Sequence, residues 1–221
     1  HPAAAPAGTS PVCRWRSCWA WQKPGALALG GKVTDSARTI ARAAGVELVD
    51  YFARPELTVY NAIPTAEGCI GILLERRSRT LWGAAVLVLG FGPVGRALAV
   101  RLAALGARVT VAARRPVQRA MAEEQGLRAV PLTDLAAAFD TVVNTIPAPV
   151  LTAAVLAALP KGCLIVDLAS KPGGTDFAAA RRLGHTALHA LSLPTVWAPE
   201  TAGEALARTV QTILQEREEK I

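Results

Sequence analysis

Three glycines, Gly90, Gly92 and Gly95, have the spacing at which a protein backbone can bind a pyrophosphate. Residues 85–89 before them are all apolar, and an apolar segment at helical spacing follows, so the order is strand, turn, helix. The first glycine permits a sharp turn, the second a close phosphate and the third close packing of helix on sheet. The N-terminus of such a helix favours an anion. The pattern predicts a dinucleotide site, and the alternative is a glycine-tolerant turn in another α/β fold.

Two arginines, Arg114 and Arg115, follow the next predicted strand, where an NAD-binding protein usually carries an acidic residue. A carboxylate at that place would repel a 2′-phosphate, whereas guanidinium groups bind it through charge-assisted hydrogen bonds. We therefore predict NADP as the cofactor. The alternative is that both arginines are merely solvated in a loop.

The ends of two later predicted strands carry further small and polar residues. Thr145, Ile146 and Pro147 can border the nicotinamide ribose without a side-chain clash. Ser170 and Lys171 follow the fifth strand of the unit, and Lys171 is either a ligand of a substrate carboxylate, a proton-transfer group or a plain exposed lysine. The aspartate at the end of that strand, Asp167, is a candidate acceptor for the N–H groups of the turn.

Metal and hydrolase chemistry have little support. His185 and His189 have the spacing of one strand face or one helical turn, but no third ligand accompanies them, so we predict no metal site. Ser36 and Ser78 stand in charged surroundings, and there is no GxSxG motif.

The elements that must position these residues are strands alternating with helices, which is typical of a doubly wound parallel sheet of the Rossmann type. Before it, Thr34 or Asp35 caps an amphipathic helix, and another helix is predicted to start at Pro64 or Thr65. We expect an irregular leader over 1–25, the remnant of an N-terminal α/β substrate domain over 26–62, an interdomain helix over 63–82, the Rossmann NADP-binding domain over 83–199 and a long C-terminal helix over 200–221.

The composition is that of a globular protein, with 221 residues, 52% of them hydrophobic, and a formal net charge of +7. The basic residues are scattered without an aromatic-basic motif, so we expect no nucleic-acid partner. The apolar run Trp82–Gly95 is too short for a bilayer, and no signal-peptide pattern is seen at the N-terminus. Four cysteines without a CxxC pair favour reduced thiols and a cytoplasmic protein.

Several motifs together resemble the A subunits of bacterial dipicolinate synthase. They are NAIPTAEG (61–68), VLVLGFGPVGRALA (86–99), VTVAARR (109–115), NTIPA (144–148), DLASKPGGTDF (167–177) and APETAG (198–203). The resemblance covers about Ala26 to Leu214, and DLASKPGGTDF with IPTAEG is far more specific than the glycine pattern alone. The family is similar in fold to the 2-hydroxyacid and alanine dehydrogenases.

The resemblance implies an NADP-dependent oxidation of dihydrodipicolinate, or of its hydroxy-tetrahydro precursor, to dipicolinate during sporulation. It implies a small dicarboxylate substrate, a partner that is a second, flavoprotein-like subunit, and the mother-cell cytoplasm as the location. Carried over residue by residue, it places Gly90, Phe91, Gly92, Pro93, Val94 and Gly95 at the pyrophosphate, Arg114 and Arg115 at the 2′-phosphate, and Thr145, Ile146 and Pro147 near the nicotinamide. Its candidates for the substrate side are Thr65, Glu67, Ser170 and Lys171, of which Ser170 and Lys171 are the candidate catalytic residues.

Two departures from the family keep other functions open. The N-terminal domain is expected to be truncated here, and LSLPTVWAPE (191–200) replaces the family pattern and puts Thr195 and Trp197 near the site. One alternative is a non-catalytic NADP-binding subunit or fragment. Another is a dehydrogenase of the hydroxyacid or alanine type, against which we count the lack of a histidine at a strand end. The oligomeric state, a homo-oligomer included, is left open.

Overall fold

The computed structural model describes residues 25–135 and 139–219, so most of the expected leader over 1–25 lies outside the described residues. These residues form two compact units. One contains the described residues up to Thr58 and those from Ala205 onward, and the other is Val59–Glu204. Both boundaries fall inside helices, whereas the domain limits expected from the sequence fall between predicted elements. Those limits remain predictions.

The smaller unit contains a parallel pair of strands joined by a helix. Strand β1 (Leu27–Gly30) leads to helix α1 (Asp35–Ala43) and strand β2 (Glu47–Asp50), with Leu27 opposite Glu47. The Oγ1 atom of Thr34 accepts a hydrogen bond from the N–H of Ala37 at 3.2 Å, which confirms one of the two predicted N-caps. This β-α-β segment is followed by a 3-10 turn over Tyr51–Ala53.

Helix α2 (Pro55–Arg76) starts nine or ten residues earlier than the sequence predicts, and Pro64 lies inside it. Pro55 occupies the first turn, where a missing N–H costs nothing, and Glu56 is favoured there by the helix dipole. A proline inside a helix costs about 3 kcal/mol or more. Burial of residues on one side of the helix, such as Ala66, Cys69 and Leu73, offsets that cost.

By length and composition alone, α2 is also the one helix among the described residues that could cross a membrane. That is weak evidence, because the core helix of a soluble protein passes the same test.

The larger unit is built on a six-stranded, entirely parallel sheet, as predicted. Its strands are β3 (Ala85–Leu89), β4 (Arg108–Ala112), β5 (Arg128–Val130), β6 (Thr141–Asn144), β7 (Leu164–Asp167) and β8 (Thr186–His189). The helices that follow α2 are α3 (Pro93–Ala104), α4 (Pro116–Glu124), α5 (Ala153–Ala157), α6 (Phe177–Arg182), α7 (Leu193–Trp197) and α8 (Pro199–Glu218).

The strand order β5-β4-β3-β6-β7-β8 is that of the doubly wound dinucleotide-binding fold, and it reverses direction between β3 and β6. Buried apolar clusters cover both faces of the sheet, one including Val86 and Leu98, the other Leu87 and Ile165. The predicted fold class is therefore confirmed. In such a sheet, ligands bind where the order reverses, beyond the carboxyl ends of the strands.

The predicted long C-terminal helix is α8, and its last turns belong to the smaller unit. Arg54 binds Glu56 through Nε at 2.6 Å and Glu216 through Nη2 at 2.5 Å. Hydrogen bonds to Glu216 and Glu56 hold the pKa of the Arg54 guanidinium above its ordinary value. Arg217 donates to the carbonyl oxygen of Gly25 at 2.6 Å, so this helix end is fixed by two arginines.

Helix α2 approaches α7 closely because two of its residues lack side chains. A Cβ atom at Gly71 would overlap the indole ring of Trp197, and one at Gly68 would lie 2.9 Å from Cδ1 of the same ring. Trp197 thus packs on the glycine face of α2, and the Oγ1 atom of Thr195 donates to the carbonyl oxygen of Ser192 at 2.9 Å. These contacts account for two residues of the segment that departs from the family pattern.

An ion pair fixes the chain after α2 to the amino end of β6. Arg77, whose side chain is 8% exposed, donates from Nη1 to Oδ1 of Asp140 at 2.9 Å and to the hydroxyl of Thr141. Burial acts to raise the pKa of Asp140, but hydrogen bonds from Arg77 and Thr141 outweigh it and hold the pKa below its ordinary value.

This ion pair predicts an acid-sensitive contribution to stability. A lowered folded-state pKa stabilises the protein above the unfolded-state pKa of about 3.9, and the contribution is lost as the pH falls through the folded-state value. The Asp140 side chain is 52% exposed, so we expect Asp140→Asn to lower the free energy of unfolding by less than about 1 kcal/mol at neutral pH. Urea titrations should show that the difference from wild type narrows below about pH 4.

Asp134→Asn is the matched control, since Asp134 is exposed and has no ion pair within the described part of the chain. A difference between Asp140→Asn and wild type that stays constant with pH would contradict the assignment.

Candidate dinucleotide-binding site

The glycine turn after β3 is built as the sequence predicts. Gly90 has a φ of +94°, which other residues rarely adopt, and its N–H donates to the carbonyl oxygen of Ala112 at 2.9 Å. A Cβ atom at Gly95 would overlap the carbonyl oxygen of Gly90. The backbone of the turn therefore lies directly against the first turn of α3, and both positions require glycine.

Gly92 has a different role in the same turn, because a Cβ atom there would meet nothing within 4 Å. Gly92 is the N-cap of α3, no side chain caps it, and Pro93 is the first helical residue. The first N–H groups of a helix have no intrahelical partners. An open space in front of such groups is suited to an anion, and it fits the predicted pyrophosphate at Gly92, Val94 and Gly95.

The loop after β6 packs against the glycine turn, at the place where the strand order reverses. Thr145 donates to the carbonyl oxygen of Leu89 twice, from its N–H at 2.9 Å and from Oγ1 at 2.7 Å. A Cβ atom at Gly90 would lie 2.5 Å from Oγ1 of Thr145 and 2.9 Å from Cγ1 of Ile146. The structure thus brings two of the three predicted nicotinamide-side residues to the glycine turn, and the third, Pro147, is exposed just beyond them.

Arg114 and Arg115 follow β4, the strand next to β3, and both are exposed. The turn that carries them is held by Arg119, which donates to the carbonyl oxygens of Ala113 at 2.9 Å and Arg114 at 3.0 Å. Neither side chain has an ion pair among the residues that the structure describes. Two cations beside the end of β4 fit a ligand phosphate at this place.

Asp167 ends β7, is fully buried and accepts four hydrogen bonds. Oδ1 accepts from Nδ2 of Asn144 at 2.9 Å and from the N–H of Ala169 at 3.0 Å, and Oδ2 from the N–H of Gly174 at 2.8 Å and Oγ1 of Thr175 at 2.7 Å. The interpretation of Asp167 as an acceptor for turn N–H groups is confirmed. Its carboxyl group positions neighbouring loops, and no oxygen atom of it is exposed to a ligand.

Ser170 and Lys171 are exposed in the loop that Asp167 holds. Gly174 in this loop accepts from the N–H groups of Val150 and Leu151 at 3.0 and 2.9 Å, which joins it to the loop after β6. Both candidate catalytic residues therefore lie beyond the carboxyl end of β7, two strands from β3. Their roles remain predictions.

Thr65 and Glu67, the other substrate-side candidates, lie on α2 rather than on a loop of the sheet. The Oγ1 atom of Thr65 donates to the carbonyl oxygen of Asn61 at 2.6 Å. Glu67 lies 3.8 Å from Nε of Arg101, which belongs to the third turn of α3. The substrate-side roles of Thr65 and Glu67 remain predictions.

His189 is the site residue that sequence reasoning missed. It is the last residue of β8, opposite Asp167, so the expectation that no histidine stands at a strand end is wrong. The apolar pattern extends the predicted strand to Leu191, so the sequence places His189 inside the strand and not at its carboxyl end. His185 precedes the amino end of β8, so the two histidines flank opposite ends of the strand.

The structure argues against thiol and metal chemistry in this part of the chain. Burial raises the pKa values of Cys69 and Cys163 to about 12, so these thiols are protonated near neutral pH and are poor nucleophiles. Among the residues described by the structure, no three His, Cys, Asp or Glu side chains come together as metal ligands.

Comparison with known proteins defines the class first. A family model described as the NAD-binding domain of D-isomer-specific 2-hydroxyacid dehydrogenases matches residues 72–171. A solved L-alanine dehydrogenase, 17% identical over 90% of this chain and 67% of its own, shares the fold with a TM-score of 0.66. The chain therefore carries a nicotinamide-dinucleotide-binding domain of the dehydrogenase type.

The chain belongs to the family of dipicolinate synthase A subunits. It is 42% identical over 182 residues to the dipicolinate synthase A subunit of Bacillus subtilis strain 168, in an alignment covering 80% of this chain. Solved structures of the A subunits from Bacillus halodurans and Bacillus subtilis are 37% and 36% identical, with TM-scores of 0.85 and 0.87. They cover 90% and 93% of this chain, and 69% and 70% of their own chains. The chain spans 61% of the length of the curated relative.

Substitution by alanine should have different effects at Gly92 and Gly95, because only one of the two positions is sterically closed. Gly95→Ala should destabilise the protein by at least about 2 kcal/mol, because the new methyl group overlaps a backbone carbonyl. Gly92→Ala should cost less than about 1 kcal/mol and yet weaken dinucleotide binding at least about tenfold, since the methyl group enters the space in front of α3.

Thermal unfolding and isothermal titration with NADP on both variants measure these effects, and each variant is the control for the other. Wild-type affinity in Gly92→Ala would show that no phosphate lies at this helix end.

Proposed function

We propose that this chain is an NADP-dependent oxidoreductase subunit that oxidises dihydrodipicolinate, or its hydroxy-tetrahydro precursor, to dipicolinate. The observation that carries the cofactor part is the pair Arg114 and Arg115 at the end of β4, exposed and in the place of the acidic residue typical of NAD-binding proteins. Membership of the dipicolinate synthase A family supports the substrate.

In the proposed reaction, each group of residues has its own role. The N–H groups at Gly92, Val94 and Gly95 bind the pyrophosphate, and Thr145, Ile146 and Pro147 border the nicotinamide. A bound NADP would supply the hydride acceptor for the oxidation, and with the hydroxy-tetrahydro precursor one molecule of water would be released as well. Lys171 and Ser170 bind a substrate carboxylate beyond β7, and the proton released in the oxidation passes to Lys171 or to water. Thr65 and Glu67 stay candidates for the substrate side.

The setting of the reaction follows from the family. We propose that a second, flavoprotein-like dipicolinate synthase subunit is the partner and that the complex works in the cytoplasm of the sporulating mother cell. The alternative is a non-catalytic NADP-binding subunit. A hydroxyacid dehydrogenase also stays a candidate, because His189 removes the argument against it.

The cofactor assignment predicts a loss of discrimination in Arg114→Ala/Arg115→Ala. Each charge-assisted hydrogen bond to the 2′-phosphate contributes about 1.5–3 kcal/mol. Isothermal titration should therefore show NADP affinity falling at least about tenfold while NAD affinity stays within about twofold. Arg181→Ala/Arg182→Ala controls for net charge, since it removes the same two charges and both arginines are exposed in the last turn of α6. Unchanged NADP preference in the double variant would contradict the assignment.

The substrate assignment predicts a specific effect of Lys171→Ala on turnover. The assay contains the second subunit, NADP and freshly generated dihydrodipicolinate, and the wild-type chain should form pyridine-2,6-dicarboxylate and NADPH. Lys171→Ala should raise the KM for dihydrodipicolinate at least about tenfold. Lys161→Ala is the matched control, because Lys161 is exposed before the amino end of the same strand, β7.

Two outcomes of the turnover assay point to the alternatives. Turnover only after addition of the N-terminal part of a full-length relative would show that this chain alone is a nucleotide-binding fragment. Faster turnover of small 2-hydroxy acids would favour the hydroxyacid dehydrogenase.

A further inference from the structure

The loop that carries Ser170 and Lys171 is held from β8 as well as from β7. The Nε2 atom of His189 lies 2.8 Å from the carbonyl oxygen of Ala169, the residue directly before Ser170. A carbonyl oxygen can only accept, so Nε2 carries the proton and donates it. The imidazole thus fixes the backbone at the point where the loop becomes exposed.

Two further contacts fix the imidazole ring itself. It stacks on Phe177 with 5.5 Å between ring centroids and an interplanar angle of 28°. It also lies against Gly173, where a Cβ atom would be 3.3 Å from Cε1 and Nε2 of His189 and φ is +86°. The positive φ favours glycine there, and a Cβ atom would crowd the imidazole ring. His189 is therefore in contact with both ends of the segment 169–173.

We propose that His189 is a positioning residue, which acts through Ala169 to hold Ser170 and Lys171 in the arrangement that receives a carboxylate of the substrate. This inference rests on the proposed function, because it takes these two residues to be the substrate-binding ones. His189 itself need not touch the substrate. Its hydrogen bond to Ala169 and its contact with Gly173 restrict the backbone conformation of the loop between β7 and Gly174.

Two substitutions separate the hydrogen bond from the ring. His189→Phe keeps a ring that can stack on Phe177 but removes the donor to Ala169, whereas His189→Gln keeps a donor and removes the ring. The probe is pyridine-2,6-dicarboxylate, titrated into the full chain saturated with NADP. We expect His189→Phe to weaken binding of the probe about tenfold, as is typical for groups that orient a ligand-binding residue, while NADP affinity is unchanged. His189→Gln should restore binding to within about threefold of wild type.

His185→Leu is the matched control. The Nε2 atom of His185 also bonds a carbonyl oxygen, that of Leu156 at 3.0 Å, but at the other end of β8. Its loss should lower the unfolding temperature without changing the affinity for the dicarboxylate. A purely structural histidine at position 189 would give this same pattern, which is therefore the result that overturns the proposal.

Hydrogen exchange separates the remaining outcomes. In His189→Phe, amide exchange should rise in residues 169–174, where Gly173 donates to the carbonyl oxygen of Ser170 at 2.9 Å, and stay unchanged in β3 and α3. If His189→Phe does not fold, His189→Leu, which also lacks the donor to Ala169, takes its place: weaker dicarboxylate binding than in His189→Gln supports the proposal, and equal binding in the two variants overturns it. If wild type binds no dicarboxylate, the proposed function fails, whereas equal binding by wild type and His189→Phe sinks only this inference.

Discussion

The buried carboxyl group of Asp167 is the interaction on which the carboxyl edge of the sheet depends. A buried carboxyl group is costly unless its oxygens are hydrogen-bonded, and here four donors from three segments converge on it. Because the donors come from Asn144 on β6, from Ala169 after β7 and from Gly174 and Thr175 further along, satisfying one side chain fixes two loops at once. The exposed residues of these loops take their positions from a group that is itself fully buried.

At β3, the same carboxyl edge is formed by backbone segments in direct contact. Gly90 and Gly95 bring the turn against α3, and Thr145 joins that turn to β6 through two hydrogen bonds to Leu89. Asn144, Asp167 and His189 are register partners on β6, β7 and β8, so polar side chains end three adjacent strands in one row. The glycine turn and the polar row together form a continuous edge from β3 to β8, which suits a ligand longer than one phosphate group.

Sequence reasoning succeeded where a local pattern has a local cause. The glycine spacing, the alternation of strands and helices and the cap at Thr34 each depend on residues close in the chain, and each is found in the structure. It failed where distant contacts decide. The preference of proline for first turns predicts a helix start at Pro64, but burial of residues such as Leu73 keeps the helix continuous through it. The apolar residues after His189 predict that it lies inside a strand, although the ladder with β7 ends there. The ion-pair partner of Glu67 could not be read from the local sequence, since Arg101 comes from another helix.

At each edge of the sheet one buried charged side chain is satisfied in a different way. At the amino edge, Arg77 is almost fully buried and its charge is matched by Asp140. At the carboxyl edge the pairing is reversed, because the acidic Asp167 is enclosed by donors while Lys171, Arg114 and Arg115 are exposed. Neutral donors satisfy the carboxyl group without using any cation, so these basic side chains stay available for phosphate and carboxylate groups. An Arg or Lys in place of Asn144 would neutralise Asp167 more directly, but it would add a buried cation at the point where the loops must pack. The amide at Asn144 therefore serves both requirements, since it donates to Asp167 and to the carbonyl oxygen of Ile146 and accepts from the N–H of Ile146.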